Sequence, residues 1–223
     1  MCYRESWQPF NVTSILVLLS QVMPIGQFGS AAAADPVPKY ALVVGCSQYI
    51  HLPNKRLNGP INDVGEVAKA LVTAFGFPNE HVHRLVGWPD DVSQRPTRAN
   101  IVREFQWLID NIAPHSQVVI YLSGHGTRVP IPESQTNPLD PSNPEPDGFD
   151  EAFVSADAHY VDGQLKNLIM DDELGVWLDA LRNKDAHVWA LFDCCHSGTM
   201  DRGASNEHSR ELMAKDLGVP DDV

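Results

Sequence analysis

The chain contains little cysteine. Only four cysteines occur in 223 residues, and their positions are Cys2, Cys46, Cys194 and Cys195. A small disulfide-dependent fold carries many more cysteines at regular spacings, so this sequence argues against a disulfide framework. It also lacks any pair of cysteines separated by two residues, which argues against a common type of structural zinc site.

Positive charge is also scarce. There are 16 Lys and Arg residues against 29 Asp and Glu residues, giving a formal net charge of −13 at pH 7 and a pI of about 4.9. This charge opposes non-specific binding to nucleic acid or to an anionic membrane. Hydrophobic residues make up 43% of the chain, which is enough for a folded core. The composition predicts a folded acidic protein with no nucleic-acid partner.

No apolar run is long enough for a good transmembrane helix. The longest candidate, from Ile15 to Ile25, is short and is interrupted by Gln21 and Pro24. Small residues follow at positions 31–34, as at a secretory cleavage site. Residues 1–34 are therefore interpreted either as a signal peptide or as a disordered leader. Cleavage would imply an exported or periplasmic protein, and an uncleaved leader a cytoplasmic one.

Strands alternate with amphipathic helices after this leader. Lys39–Gly45 is a continuous apolar run, typical of a strand buried on both faces. Thr97, and later Asp171 or Asp172, are candidate helix caps. The alternation predicts an α/β fold whose mostly parallel sheet has helices on both faces. The predicted elements are strands at residues 39–45, 80–86, 117–123 and 186–192, helices near residues 64–75, 98–112 and 171–183, and a proline-rich loop from Pro130 to Pro146.

Reactive side chains follow three of the predicted strands. Ligands bind beyond the carboxyl ends of parallel strands, so Asp63, His125 and Asp193–Cys195 should share one rim. Cysteine attacks as the thiolate, and histidine is a suitable base because its unperturbed pKa is about 6.5. His196 is disfavoured as that base, since neighbouring side chains on an extended segment point apart. The rim predicts a nucleophilic cysteine whose base is distant in sequence.

Glycines flank both reactive positions. Gly124 and Gly126 surround His125, an arrangement that would let a peptide substrate approach the backbone. Gly198 lies three positions after Cys195, and N–H groups in such a turn can hold the oxyanion of a tetrahedral intermediate. Gly126 and Gly198 are the candidate oxyanion or turn residues.

Several segments resemble, in order, the signatures of the metacaspases and their prokaryotic relatives, the orthocaspases. These segments are "ALVVGCSQYIHLPNKRLNGPINDV", "YLSGHG", "DGFDEAFVSADA", "IMDDEL" and "DCCHSG". The family consists of caspase-like cysteine peptidases (peptidase family C14). The resemblance implies a three-layer α/β/α caspase-hemoglobinase fold, with a p20-type catalytic domain at residues 38–203. Residues 204–223 are interpreted as a polar tail without a strand-like run, so the family's small-subunit segment is expected to be missing.

The resemblance also implies roles for individual residues. His125 matches the general base, and Cys195 the nucleophile, whereas Cys194 and Cys46 are interpreted as packed structural residues. The positions that match the pocket for the side chain before the cleaved bond are Asp63, Ser123 and Asp193. Two carboxylates in one pocket favour a cation, so cleavage after Arg or Lys is expected.

Calcium is the expected activator, although the peptidase chemistry itself needs no cofactor. Asp150, Asp171 and Asp172 match the calcium-binding positions of calcium-activated metacaspases, and carboxylates supply the oxygen ligands that Ca²⁺ prefers. Asp171 and Asp172 have an alternative explanation, because acidic residues are favoured at the start of a helix.

The sequence thus predicts a cysteine endopeptidase that acts on proteins or peptides after Arg or Lys, with calcium stimulation and self-processing. Two alternatives stay open at this point. One is a catalytically weak or inactive regulatory domain, consistent with the missing segment, which would otherwise come from a separate small-subunit partner. The other is a different cysteine hydrolase or transferase on the same fold. The oligomeric state is left open.

Overall fold

The computed structural model describes residues 36–88, 90–131, 148–194 and 211–220. The predictions for the leader, Cys195, His196 and Gly198 concern residues outside these ranges. Eight strands and three α-helices occur in the described part of the chain. They are β1 (Lys39–Gly45), α1 (Gly59–Thr73), β2 (Val82–Val86), α2 (Arg98–Asn111), β3 (Gln117–Ser123), β4 (Gly126–Pro130), β5 (Phe149–Val161), β6 (Gln164–Met170), α3 (Asp171–Arg182), β7 (His187–Asp193) and β8 (Glu211–Leu212).

The first sheet is entirely parallel and has the strand order β2-β1-β3-β7. Its central strands β1 and β3 are apolar between their end residues because they are covered on both faces. Alternate residues such as Val43 and Tyr121 pack against α1, while Leu42 and Ile120 belong to the larger core that includes α2 and α3. The predicted parallel sheet with helices on both faces is confirmed.

The helix starts follow the sequence in one case and depart from it in another. Thr97 caps α2 as predicted, since its side chain accepts a hydrogen bond from the Asn100 N–H. The prediction that Asp171 or Asp172 caps α3 was wrong, because the N-cap is Met170 and both acids lie in the first helical turn. In that turn the two carboxylates still interact favourably with the positive end of the helix dipole.

A second sheet has the strand order β6-β5-β4-β8 and was not predicted from the sequence. Three of its strands lie between β3 and α3, where no strand was predicted. β5 and β6 form an antiparallel hairpin. Its two-residue turn, Asp162-Gly163, has φ values of 52° and 76°, as a type I′ turn requires. An Asp-Gly pair between strand-like runs is a strong hairpin signal, and it was overlooked.

The C-terminal tail also differs from its prediction. It was interpreted as polar and without a strand-like run, yet Glu211–Leu212 pairs in parallel with Gly126–Thr127 of β4. Leu212 and Leu217 are buried against the body of the protein. A strand of two residues is too short to leave a periodic pattern in the sequence. None of the helices in the described ranges combines the length and hydropathy needed to span a bilayer.

Candidate active site

The ends of β1, β3 and β7 lie side by side at one edge of the parallel sheet. Gly45 is in register with Ser123, and Ser123 with Asp193. The expectation that the loops after these strands share a rim is therefore confirmed. Asp63 lies in the second turn of α1, which packs against the end of β1 so closely that a Cβ on Gly45 would lie 2.5 Å from the Pro60 carbonyl oxygen.

Asp193 lies on the face of the sheet that α1 covers. It is only 9% exposed, and its Oδ2 lies 3.3 Å from Ser123 Oγ and 3.4 Å from the Tyr121 hydroxyl. Hydroxyl groups can stabilise a buried carboxylate by donating hydrogen bonds to it. Ser123 and Asp193, two of the three predicted pocket residues, are thus in contact, and Tyr121 is a third residue of this cluster that the sequence analysis did not select.

His125 follows β3 and is 4% exposed. Its Nε2 lies 2.8 Å from the carbonyl oxygen of Lys55. Because a carbonyl oxygen can only accept, Nε2 must carry the proton in this hydrogen bond. In the neutral ring Nδ1 is then the unprotonated nitrogen, so this arrangement leaves Nδ1 as the atom that can take up a proton.

Tyr49 holds the main chain of His125. Its hydroxyl accepts a hydrogen bond from the His125 N–H at 2.9 Å and donates one to the Cys46 carbonyl at 3.1 Å. The two rings lie 5.2 Å apart at 39°. Sequence reasoning missed both Tyr49 and Lys55. An aromatic residue within a polar loop is the signal that the sequence offers for Tyr49. The Lys55 contact uses a backbone carbonyl, which every residue possesses.

The described cysteines are packed residues. Cys46 is fully buried, and burial raises the pKa of its thiol far above the ordinary range, which keeps it protonated and unreactive. Cys194 is also buried and faces the core that contains α2 and α3. The structural interpretation of both is confirmed. Cys195, the predicted nucleophile, and Gly198 lie outside the described residues.

The two glycines beside His125 have structural roles. A Cβ on Gly124 would lie 3.0 Å from the Phe153 ring and 3.1 Å from Cys46 Cβ, so tight packing explains this glycine. Gly126 is the first residue of β4 and pairs with both Phe153 and Glu211. Its predicted role at the oxyanion stays a prediction.

The predicted calcium residues lie where β5 and α3 meet. Asp150 is in β5, and Asp171 and Asp172 begin α3. Asp171 lines a small pocket together with Glu151 and Cys194. Carboxylates are suitable donors for Ca²⁺, but within the described ranges no three ligating side chains are grouped closely enough to hold a metal ion. Calcium binding stays a prediction.

The chain that forms this site is similar to known proteins. Residues 39–202 match the family model of the metacaspase, peptidase C14 domain. The chain belongs to the metacaspase family. The metacaspase core thus includes the whole parallel sheet, both buried cysteines and His125, and the fold is the caspase-like α/β fold expected from the sequence.

Several relatives align with most of this metacaspase chain. Metacaspase-1 of Pyricularia oryzae is 31% identical over 181 residues, which are 78% of this chain and 42% of that protein. Metacaspase-1 of Saccharomyces cerevisiae is 32% identical over 160 residues, covering 72% and 33%. A crystal structure of protein GSU0716 from Geobacter sulfurreducens has a TM-score of 0.50 and 26% identity, covering 73% of this chain and 52% of that one. The chain thus spans less than half the length of the two Metacaspase-1 proteins.

Proposed function

We propose that this metacaspase domain is a cysteine endopeptidase that cleaves after Arg or Lys, with Cys195 as the nucleophile and His125 as the general base. The hydrogen bond from His125 Nε2 to the Lys55 carbonyl carries this proposal, because in the neutral ring it places the proton on Nε2 and makes Nδ1 the proton acceptor. The Tyr49 hydroxyl also holds the main chain of the buried His125, which keeps the ring in place.

In the proposed reaction, Nδ1 takes the thiol proton of Cys195 and the thiolate attacks the carbonyl carbon of the scissile bond. The C–N bond then breaks as Nδ1 returns the proton to the leaving amine, which leaves a thioester on Cys195. Water, deprotonated by Nδ1, attacks the thioester, and the C–S bond breaks to release the carboxylic acid and the thiol. Nε2 keeps its proton and its bond to Lys55 throughout.

The proposed preference for a basic residue before the cleaved bond rests on Asp63, Ser123 and Asp193. Asp193 is a buried carboxylate at the end of β7, and its Oδ2 lies 3.3 Å from Ser123 Oγ. A substrate cation is a suitable partner for such a group, and the Arg guanidinium can pair with a carboxylate through two hydrogen bonds.

The test offers fluorogenic peptides ending in Arg, Lys or Asp to the parent protein, with calcium and with a chelator. Cys195→Ala and His125→Ala should abolish turnover, whereas Cys194→Ala is the control for loss of a neighbouring thiol. Turnover that survives Cys195→Ala would contradict the nucleophile, and preference for Asp would contradict the pocket.

Two further results would select the alternative functions. Absence of turnover, together with no labelling of Cys195 by a thiol-reactive Arg-peptide probe, would favour a non-catalytic regulatory domain. Labelling without cleavage would favour a different cysteine hydrolase or transferase.

Self-processing at Arg202, Arg210 or Lys215 belongs to the same proposal. Lys215 is exposed, in a single 3₁₀ turn near the C-terminus, and the two arginines lie outside the described residues. Mass spectrometry should find cuts at these residues in the parent and none in Cys195→Ala. Identical fragments in both proteins would refute self-processing.

A further inference from the structure

The C-terminal segment, residues 211–220, docks beside His125. Leu212 and Leu217 are both 2% exposed, and the Thr127 hydroxyl donates a hydrogen bond to the Leu212 carbonyl at 2.7 Å. β8 pairs with β4 from Gly126 onward, directly after His125 in the chain. Buried leucines and strand pairing therefore hold this segment against β4, the strand that begins directly after His125.

The same segment contacts the loop on the other side of His125. Asp216 Oδ1 accepts a hydrogen bond from Lys55 Nζ at 2.9 Å, and its Oδ2 accepts one from the Met213 N–H at 3.0 Å. The side chains of Lys55 and Asp216 are 38% and 25% exposed, so solvent shields this ion pair only in part. The pKa of Asp216 is lowered, chiefly by the hydrogen bond from Lys55, so the carboxylate is charged at neutral pH.

Lys55 is consequently held at two points. Its side chain is bound to Asp216, while its carbonyl oxygen accepts the Nε2–H of His125 at 2.8 Å. We propose that Asp216 is a positioning residue for His125 and acts through Lys55. The inference rests on the proposed function of His125 as the base. Without the Asp216 charge, the Lys55 peptide moves more freely, and the hydrogen bond that selects the Nε2–H form of His125 weakens.

The test compares the variants Asp216→Asn and Lys55→Met with Lys55→Arg, which keeps a cation. Asp179→Asn is the matched control, because Asp179 forms an exposed ion pair with Arg182 in α3 at 2.9 Å. Two quantities are measured on the full chain: kcat and KM for an Arg peptide, and the ¹⁵N chemical shifts of the His125 ring. The ring shifts report the tautomer whether or not the protein cleaves peptides.

Partly exposed ion pairs are weak, so we expect kcat to fall about two- to five-fold in Asp216→Asn and Lys55→Met with little change in KM. The His125 ¹⁵N shifts should move toward a mixture of tautomers in both variants. Lys55→Arg should keep both kcat and the His125 ¹⁵N shifts close to those of the parent. If Asp216→Asn does not fold, Lys55→Met decides alone.

The inference is overturned if the His125 shifts of these variants match those of Asp179→Asn, even where thermal stability has dropped. A parent protein without peptidase activity would refute the proposed function instead. In that case the His125 shifts alone decide whether Asp216 positions the ring.

Discussion

Replacing Tyr49 with Phe removes one buried oxygen atom and leaves two main-chain groups without their partner. The hydroxyl accepts from the His125 N–H at 2.9 Å and donates to the Cys46 carbonyl at 3.1 Å, in a side chain that is 4% exposed. A buried donor left unsatisfied costs about 1–3 kcal/mol, and loss of the second hydrogen bond about 1 kcal/mol. The free energy of unfolding should therefore decrease by about 2–4 kcal/mol.

For a chain of this size, each kcal/mol lowers Tm by about 2–4 °C, so the expected decrease is about 4–16 °C. Thermal unfolding followed by circular dichroism measures it. Tyr40→Phe is the control, since Tyr40 is also buried and stacks on His81, yet its hydroxyl has no hydrogen bond to another described residue. If both variants melt within about 2 °C of the parent, Tyr49 does not hold His125 through its hydroxyl.

Two other predictions concern stability away from the site. Gly163→Ala and Gly175→Ala both add a methyl group into open space. Gly163 has a φ of +76°, so its replacement should lower the free energy of unfolding by about 1 kcal/mol. Gly175 lies within α3, so its replacement should raise that free energy by about 0.5–1 kcal/mol, and urea unfolding measures both. Equal effects of the two would contradict the turn assignment. The pKa of Glu104 is lowered chiefly by the hydrogen bond from His83 at 2.5 Å, so its stabilising contribution is present above the unfolded pKa of about 4.3 and is lost as pH falls through the lower folded value. Glu104→Gln should accordingly lower Tm at pH 7 and approach the parent in acid, whereas a constant difference at every pH, or an equal effect of exposed Glu66→Gln, would refute this assignment.

The parallel sheet was predictable because its signals are local. Lys39–Gly45 and Gln117–Ser123 are apolar runs, and the helices after them repeat apolar residues every three to four positions. Parallel strands joined by helices have few topologies, so the shared rim of the loops after β1, β3 and β7 followed from the alternation of strands and helices.

The second sheet was missed for two different reasons. The Asp162-Gly163 pair is a hairpin signal that can be read from the sequence. β8, in contrast, has only two residues, and it pairs with β4 because Leu212 and Leu217 bury their side chains there. Such pairing depends on distant parts of the chain and leaves no periodic trace in the sequence.

The sequence by itself determined the fold class and the identities of the chemical groups, since periodicity and motif order are written in consecutive residues. Tertiary structure decided how His125 is held. Its Nε2 binds the main-chain carbonyl of Lys55 and its N–H binds the Tyr49 hydroxyl, and these contacts join residues 70 and 76 positions apart. A carbonyl group is common to all residues, so only the folded chain can select the one that fixes the tautomer of the base.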